Sequence, residues 1–125
     1  QEALQEVWGE SELKVKQYSD HAFYMSKDNV DDSSACFNSQ RVRSKGQTVM
    51  LHIAEDGTII DLMVCRFDEP IRYKAPSVFY QQFIGKKLND DLRLKRDIDG
   101  VSGATLTSRA TVKSVREILT AHAKK

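Results

Sequence analysis

The sequence predicts an α+β fold, a small antiparallel sheet with helices at the N- and C-termini, in a single domain. Three observations carry that expectation. Apolar residues flank an Asp-Gly turn in mid-chain, an apolar stripe of helical period lies near the C-terminus, and the 125 residues suit one hydrophobic core. An apolar fraction of 40% with 30% charged residues is that of an ordinary globular chain. A domain spanning residues 1–125 buries roughly two thirds of the surface its unfolded chain exposes, enough for a core without staples.

Taken in order, Leu4, Val7 and Trp8 stand at i, i+3 and i+4 with Gly9 after them, which predicts a short N-terminal helix. Leu13 and Val15 alternate with Lys14 and Lys16, the period of a half-exposed strand. Ser26 to Ser34 is dense in Asp, Asn and Ser and reads as a loop. Arg41, Arg43 and Lys45 alternate with Val42 and Ser44, as on the solvent face of a strand entering a hairpin. Thr48 to Ala54 and Ile59 to Phe67 are the hairpin's strands, with Asp56-Gly57 signalling a two-residue turn. Pro70 and Pro76 bracket a loop. Ser77 then caps a short helix carrying Phe79, Tyr80, Phe83 and Ile84, ended by Gly85. Val112, Val115, Ile118 and Leu119 share one stripe of about 120°, with Lys113, Arg116, Glu117 and Lys124 turned away, so the last segment is an amphipathic helix.

Charge and composition exclude several functions. Lys and Arg number 19 against 18 Asp and Glu, which argues against nucleic acid, since that partner needs a basic surplus. No apolar run approaches the roughly 20 residues of a membrane-crossing helix. His21, His52 and His122 lack metal-ligand spacing with either cysteine. Cys36 and Cys65 form either one bridge or two small buried hydrophobes. The first residue is Gln1 rather than Met, as expected of a removed signal peptide or of a cloned fragment.

The chemistry concentrates in Asp99-Gly100-Val101-Ser102-Gly103-Ala104-Thr105-Leu106-Thr107-Ser108, directly before the last helix. One hydroxyl suffices to cap a helix. Four are present here, on Ser102, Thr105, Thr107 and Ser108, around one glycine. Helix N-termini present unpaired N–H groups and a partial positive charge, so the surplus suits a phosphate as well as it suits capping. Neither a Walker A loop nor a Rossmann three-glycine spacing is present.

Asp-x-x-Ser-Gly-Ala-Thr, from Asp99 to Thr105, resembles the flavinylation motif of the FMN-binding domain family, and Thr107-Ser108 continues the pattern. That family includes FMN-carrying subunits of the sodium-pumping NADH:quinone oxidoreductase and of Rnf-type complexes, and flavin domains of nitrous oxide reductase regulators. The Gly-containing hairpin, Glu69-Pro70 and the segment ending Gln82-Phe83-Ile84-Gly85-Lys86 resemble the regulator-like branch. Asp68-Glu69-Pro70-Ile71 stands where the redox-pump subunits carry Glu-Thr-Pro-Gly. The resemblance implies FMN held covalently through its phosphate on Thr105, attached by a flavin transferase from FAD, with Asp99 recognised by that transferase. It implies a cofactor site of Ser102, Gly103, Ala104, Leu106, Thr107 and Ser108 with Glu69, Pro70, Arg72, Tyr73 and Lys86. Arg72, Lys74 and Lys86 are candidate cations near the reduced ring or solvated surface charges. Tyr73 and Tyr80 are candidates to pack on the ring, whereas Phe79 and Phe83 suit the core better.

The implied role is an electron carrier rather than a free-standing enzyme. It would be a bacterial periplasmic or extracellular protein with its signal peptide removed, relaying electrons between a membrane reductase and another redox partner, membrane-bound or multihaem. A sensory or interaction module of the same fold, or a flavin-dependent reductase, are the alternatives.

Overall fold

The apolar alternation around Asp56-Gly57 becomes the centre of a five-stranded antiparallel sheet in the computed structural model, which describes residues 13–18, 21–26 and 32–124. Strands β1 (Leu13–Tyr18), β2 (His21–Ser26), β3 (Ser34–Arg41), β4 (Gly46–Ile53) and β5 (Ile59–Phe67) lie side by side in chain order. A 3₁₀ turn (Ile71–Tyr73), a short helix α1 (Ser77–Gln81) and an 18-residue helix α2 (Thr105–His122) follow. The predicted α+β class, antiparallel sheet and C-terminal helix all form. The predicted N-terminal helix around Leu4, Val7 and Trp8 lies outside the described residues, as does part of the predicted 26–34 loop.

Strand period sets which side chains meet the helix. Cys36, Leu51 and Leu62 face one another across β3, β4 and β5, and all three belong to the main core. Helix α2 lays Val112, Val115, Ile118 and Leu119 on that core, all buried as its stripe predicts. Phe79 and Phe83 close one flank, their rings 5.7 Å apart and edge-on. Ala35 and Met50 form a smaller cluster with Tyr24, Phe37 and Met63. Burying a side chain the size of Ile118 or Phe83 is worth roughly 1.5–3 kcal/mol, so this interface dominates the stability of the fold.

Several local expectations change. Val15 lies in a strand but is 53% exposed. Strand β2 has no counterpart in the predicted elements, because Ala22-Phe23-Tyr24-Met25 shows no alternation. Of the predicted strand face, Arg41 ends β3, whereas Arg43 and Lys45 lie in the turn between β3 and β4, closed by the Val42 N–H on the Lys45 carbonyl at 2.9 Å. The Asp-Gly hairpin has a three-residue loop, Glu55 to Gly57, rather than two residues. Ala54 pairs with Thr58, the Gly57 N–H donates to Ala54, and Gly57 takes φ +92°, so glycine supplies the left-handed position after a tight turn. Ser77 is the first residue of α1 and makes no capping bond, since Pro76 occupies the cap position. Ile84 is 45% exposed.

Cys36 is buried and Cys65 exposed, with no disulfide between them. Strand β4 separates their strands, and two strand spacings of about 4.8 Å exceed the roughly 7 Å that a bridge tolerates. Burial pushes the Cys36 thiol up to about 12, the state of an inert apolar filler.

Candidate functional site

Three segments converge at the N-terminal end of α2. The first is the motif itself. Gly103 adopts φ +83°, a left-handed conformation that admits glycine most readily, and turns the chain into the helix. Ala104 occupies the cap position without any side-chain cap bond, which overturns the expected Ser/Thr cap. The hydroxyls are engaged elsewhere. Thr107 donates to the Tyr73 carbonyl, and Ser108 donates back to the Ala104 carbonyl at 2.8 Å. Both residues are buried. Ser102 and Thr105 are exposed, and neither hydroxyl makes a hydrogen bond among the described residues. Among the described residues the first N–H groups of α2 have no side-chain acceptor, and the opening turn holds no acidic residue.

The second segment is the 3₁₀ turn after Pro70. Thr107 ties its last residue, Tyr73, to α2. The guanidinium carbons of Arg72 and Arg43 stand 4.7 and 4.6 Å from the centroid of the Tyr73 ring, within cation–π range. Arg72 also donates to the Tyr73 hydroxyl at 3.1 Å. That bond, with the charges of Arg43 and Arg72, holds the phenol below its ordinary value.

The third segment is the β3–β4 turn, which sequence reading did not assign to the site. Glu69 Oε2 accepts the N–H groups of Arg43, Ser44 and Lys45 at 2.8, 2.9 and 3.1 Å. The Lys45 amide first, then those of Arg43 and Ser44 and the Arg43 charge, lower this carboxyl below its usual range against the cost of desolvation. The turn is thereby fixed, and Val42 and Arg43 face Gly103–Thr107 and Tyr73 across a cavity of about 250 Å³. A second cavity of about 680 Å³, rimmed by Arg41, Arg43, Lys45 and Arg72, adjoins it through Arg43 and Tyr73. Another depression, about 810 Å³, runs along the outer side of α2 and contains none of the motif residues from Asp99 to Ser108.

The structure thus gathers Gly103, Ala104, Thr105, Leu106 and Thr107 with Tyr73 around one cavity, and Glu69, Pro70 and Arg72 around the next. Ser102 lies just outside, and Ser108 points into the interior. Lys86 is not brought to the site. Its carbonyl accepts the Ile59 N–H at the start of β5, whereas the Arg43 turn meets the far end of that strand through the Asp68 N–H on Gly46. Two further residues complete the frame. The Gln82 side-chain amide both accepts from the Asp99 N–H at 2.7 Å and donates to its carbonyl at 2.9 Å, which leaves the exposed Asp99 carboxylate pointing outward from a fixed backbone. Gln47, buried, bridges Tyr80 and Thr111, locking β4, α1 and α2 together; burial raises the Tyr80 phenol. Arg43 carried no signal beyond its alternation with Val42, and Gln82 only its place in a resembling segment.

A phosphate ester fits this arrangement. A hydroxyl without a partner, unpaired amides at a helix start and an arginine border one cavity, the donor set that a phosphate attracts. The family model of the FMN-binding domain matches residues 45–120. The chain belongs to the FMN-binding domain family. The match includes the motif, Glu69 through Tyr73 and Gln82, and with it comes a flavin-binding role. Val42 and Arg43 precede the matched region, so one wall of the cavity lies outside it. No curated protein matches the chain.

Proposed function

We propose that this member of the FMN-binding domain family carries FMN covalently on Thr105 and relays electrons between a membrane reductase and another redox partner, outside the cytoplasm. One observation supports the attachment point most directly. Of the four hydroxyls between Ser102 and Ser108, Thr105 alone is exposed, without a hydrogen bond among the described residues, and lining the cavity. In the attachment step the Thr105 oxygen bonds to the flavin-side phosphorus of FAD, the pyrophosphate bond breaks, adenylate leaves and the hydroxyl proton is lost. The phosphodiester keeps one negative charge beside the helix start, a contact typically worth about 0.3–1 kcal/mol. Asp99, exposed on a backbone fixed by Gln82, is the residue assigned to transferase recognition. The bound flavin supplies the redox chemistry, while the protein orients it and sets its surroundings.

The test is an intact mass after co-expression with a flavin transferase, followed by peptide mapping. A gain of one FMN less one water, located on Thr105, is expected. An unmodified chain, with the transferase active on a control protein, overturns the proposal.

A further inference from the structure

Three successive backbone N–H groups aimed at one point form an anion-binding nest. The turn at Arg43, Ser44 and Lys45 is such a nest, and the chain fills it with its own carboxylate, Glu69, which is only 7% exposed. The lock has one outward consequence. It fixes Arg43, which with Tyr73 lines both cavities, with its guanidinium over the Tyr73 ring in one cluster with Arg72. Glu69 sets one negative charge against the four positive ones of Arg41, Arg43, Lys45 and Arg72.

We propose that Glu69 is a positioning residue of the flavin site: by filling the amide nest it holds Arg43 beside Thr105, where Arg43 and Arg72 favour the negatively charged reduced form of a bound flavin over the neutral oxidised form. The inference rests on the Thr105 attachment proposed above. A flavin ring that takes up two electrons and one proton gains one negative charge, and a nearby guanidinium stabilises that form selectively. The reductant in the test is a chemical one, dithionite, which supplies both electrons; water supplies the proton.

Glu69→Gln, Arg43→Met and the double variant separate positioning from plain charge. The uncharged side-chain carbonyl that Glu69→Gln leaves in the nest is a weaker partner for three amides, and the accompanying NH₂ group cannot accept from them. Loss of a carboxylate charge alone would make the flavin easier to reduce, whereas release of Arg43 makes it harder. The potential is read on the fraction of each variant that gains the mass of FMN. At a fixed potential Arg43→Met should have about tenfold less reduced flavin relative to oxidised, about 30 mV for a two-electron couple. Glu69→Gln shifts in the same direction, and the double variant goes no further than Arg43→Met. A second readout uses protein made without the transferase, in which the Tyr73 phenol, identified by its loss in Tyr73→Phe, is titrated spectrophotometrically. Both single variants should move it to higher pH. An unchanged or upward potential in Glu69→Gln, or additive effects in the double variant, overturns the inference. If no protein takes up FMN, the attachment reading fails, and the phenol titration still decides whether Glu69 places Arg43.

Discussion

Thr105 and Thr107 carry the same side chain two residues apart, and their surroundings give them opposite roles. Thr105 has an exposed hydroxyl on a cavity, whereas Thr107 is 1% exposed and holds the Tyr73 carbonyl. Thr105→Val should therefore abolish covalent flavin with a stability change near zero. Thr107→Val should keep the label and lose about 1–3 kcal/mol, because a carbonyl is left without its donor. Intact mass and thermal denaturation of the two variants check both statements, and label surviving in Thr105→Val would refute the assignment. Glu69 gives a pH signature. Its carboxyl is lowered by the Arg43–Lys45 amides, so its contribution is fully present above the unfolded value of about 4.3 and disappears as pH falls through the lower folded value. Melting temperatures of wild type and Glu69→Gln should therefore differ at about pH 6 and converge as the pH falls below about 4.

Among the elements, the turns that set the geometry depend on glycine at two places. Gly57 and Gly103 have φ of +92° and +83°, and nothing lies within 4 Å of a Cβ built on either. Substitution there meets backbone strain alone, so Gly103→Ala and Gly57→Ala should each cost about 1–2 kcal/mol. Asn, which tolerates that conformation better, should cost less than Ala at both positions in a chemical denaturation series. These elements also show how far the sequence could be read. The hairpin and α2 were legible because one side of each faces a core, and a period of 2 or 3.6 records that fact. The β3–β4 turn was not legible. Its Arg-Val-Arg-Ser-Lys alternation imitates a strand, and what makes it a turn is a carboxylate 24 to 26 residues further along. Capping failed for a related reason, since Thr107 and Ser108 are drawn to carbonyls that only the folded chain presents. The motif was legible as chemistry, and the resemblance already singled out Thr105; what the fold adds is that Thr107 and Ser108 are engaged by the Tyr73 and Ala104 carbonyls.

For the molecule as a unit, α2 joins site and core. Its first turn carries Thr105 while Val115, Ile118 and Leu119 press on the sheet, so loosening the core far from the cavity should loosen the whole. Ile118→Ala should cost about 2–5 kcal/mol, with circular dichroism and aromatic signals lost in a single transition if helix and sheet unfold together.

The strand order β1-β2-β3-β4-β5 also governs the sequence of events as the chain folds. Every pairing in the sheet joins neighbours along the chain, and short-range pairings form fast. The cavity, by contrast, needs α2 in place, and the bonds that tie α2 down, Thr107 on Tyr73 and Gln47 on Thr111, join partners 34 and 64 residues apart. A nascent chain cut off before α2 could thus pair its strands and still lack a pocket, so the sheet is the early product of folding and the attachment site the late one.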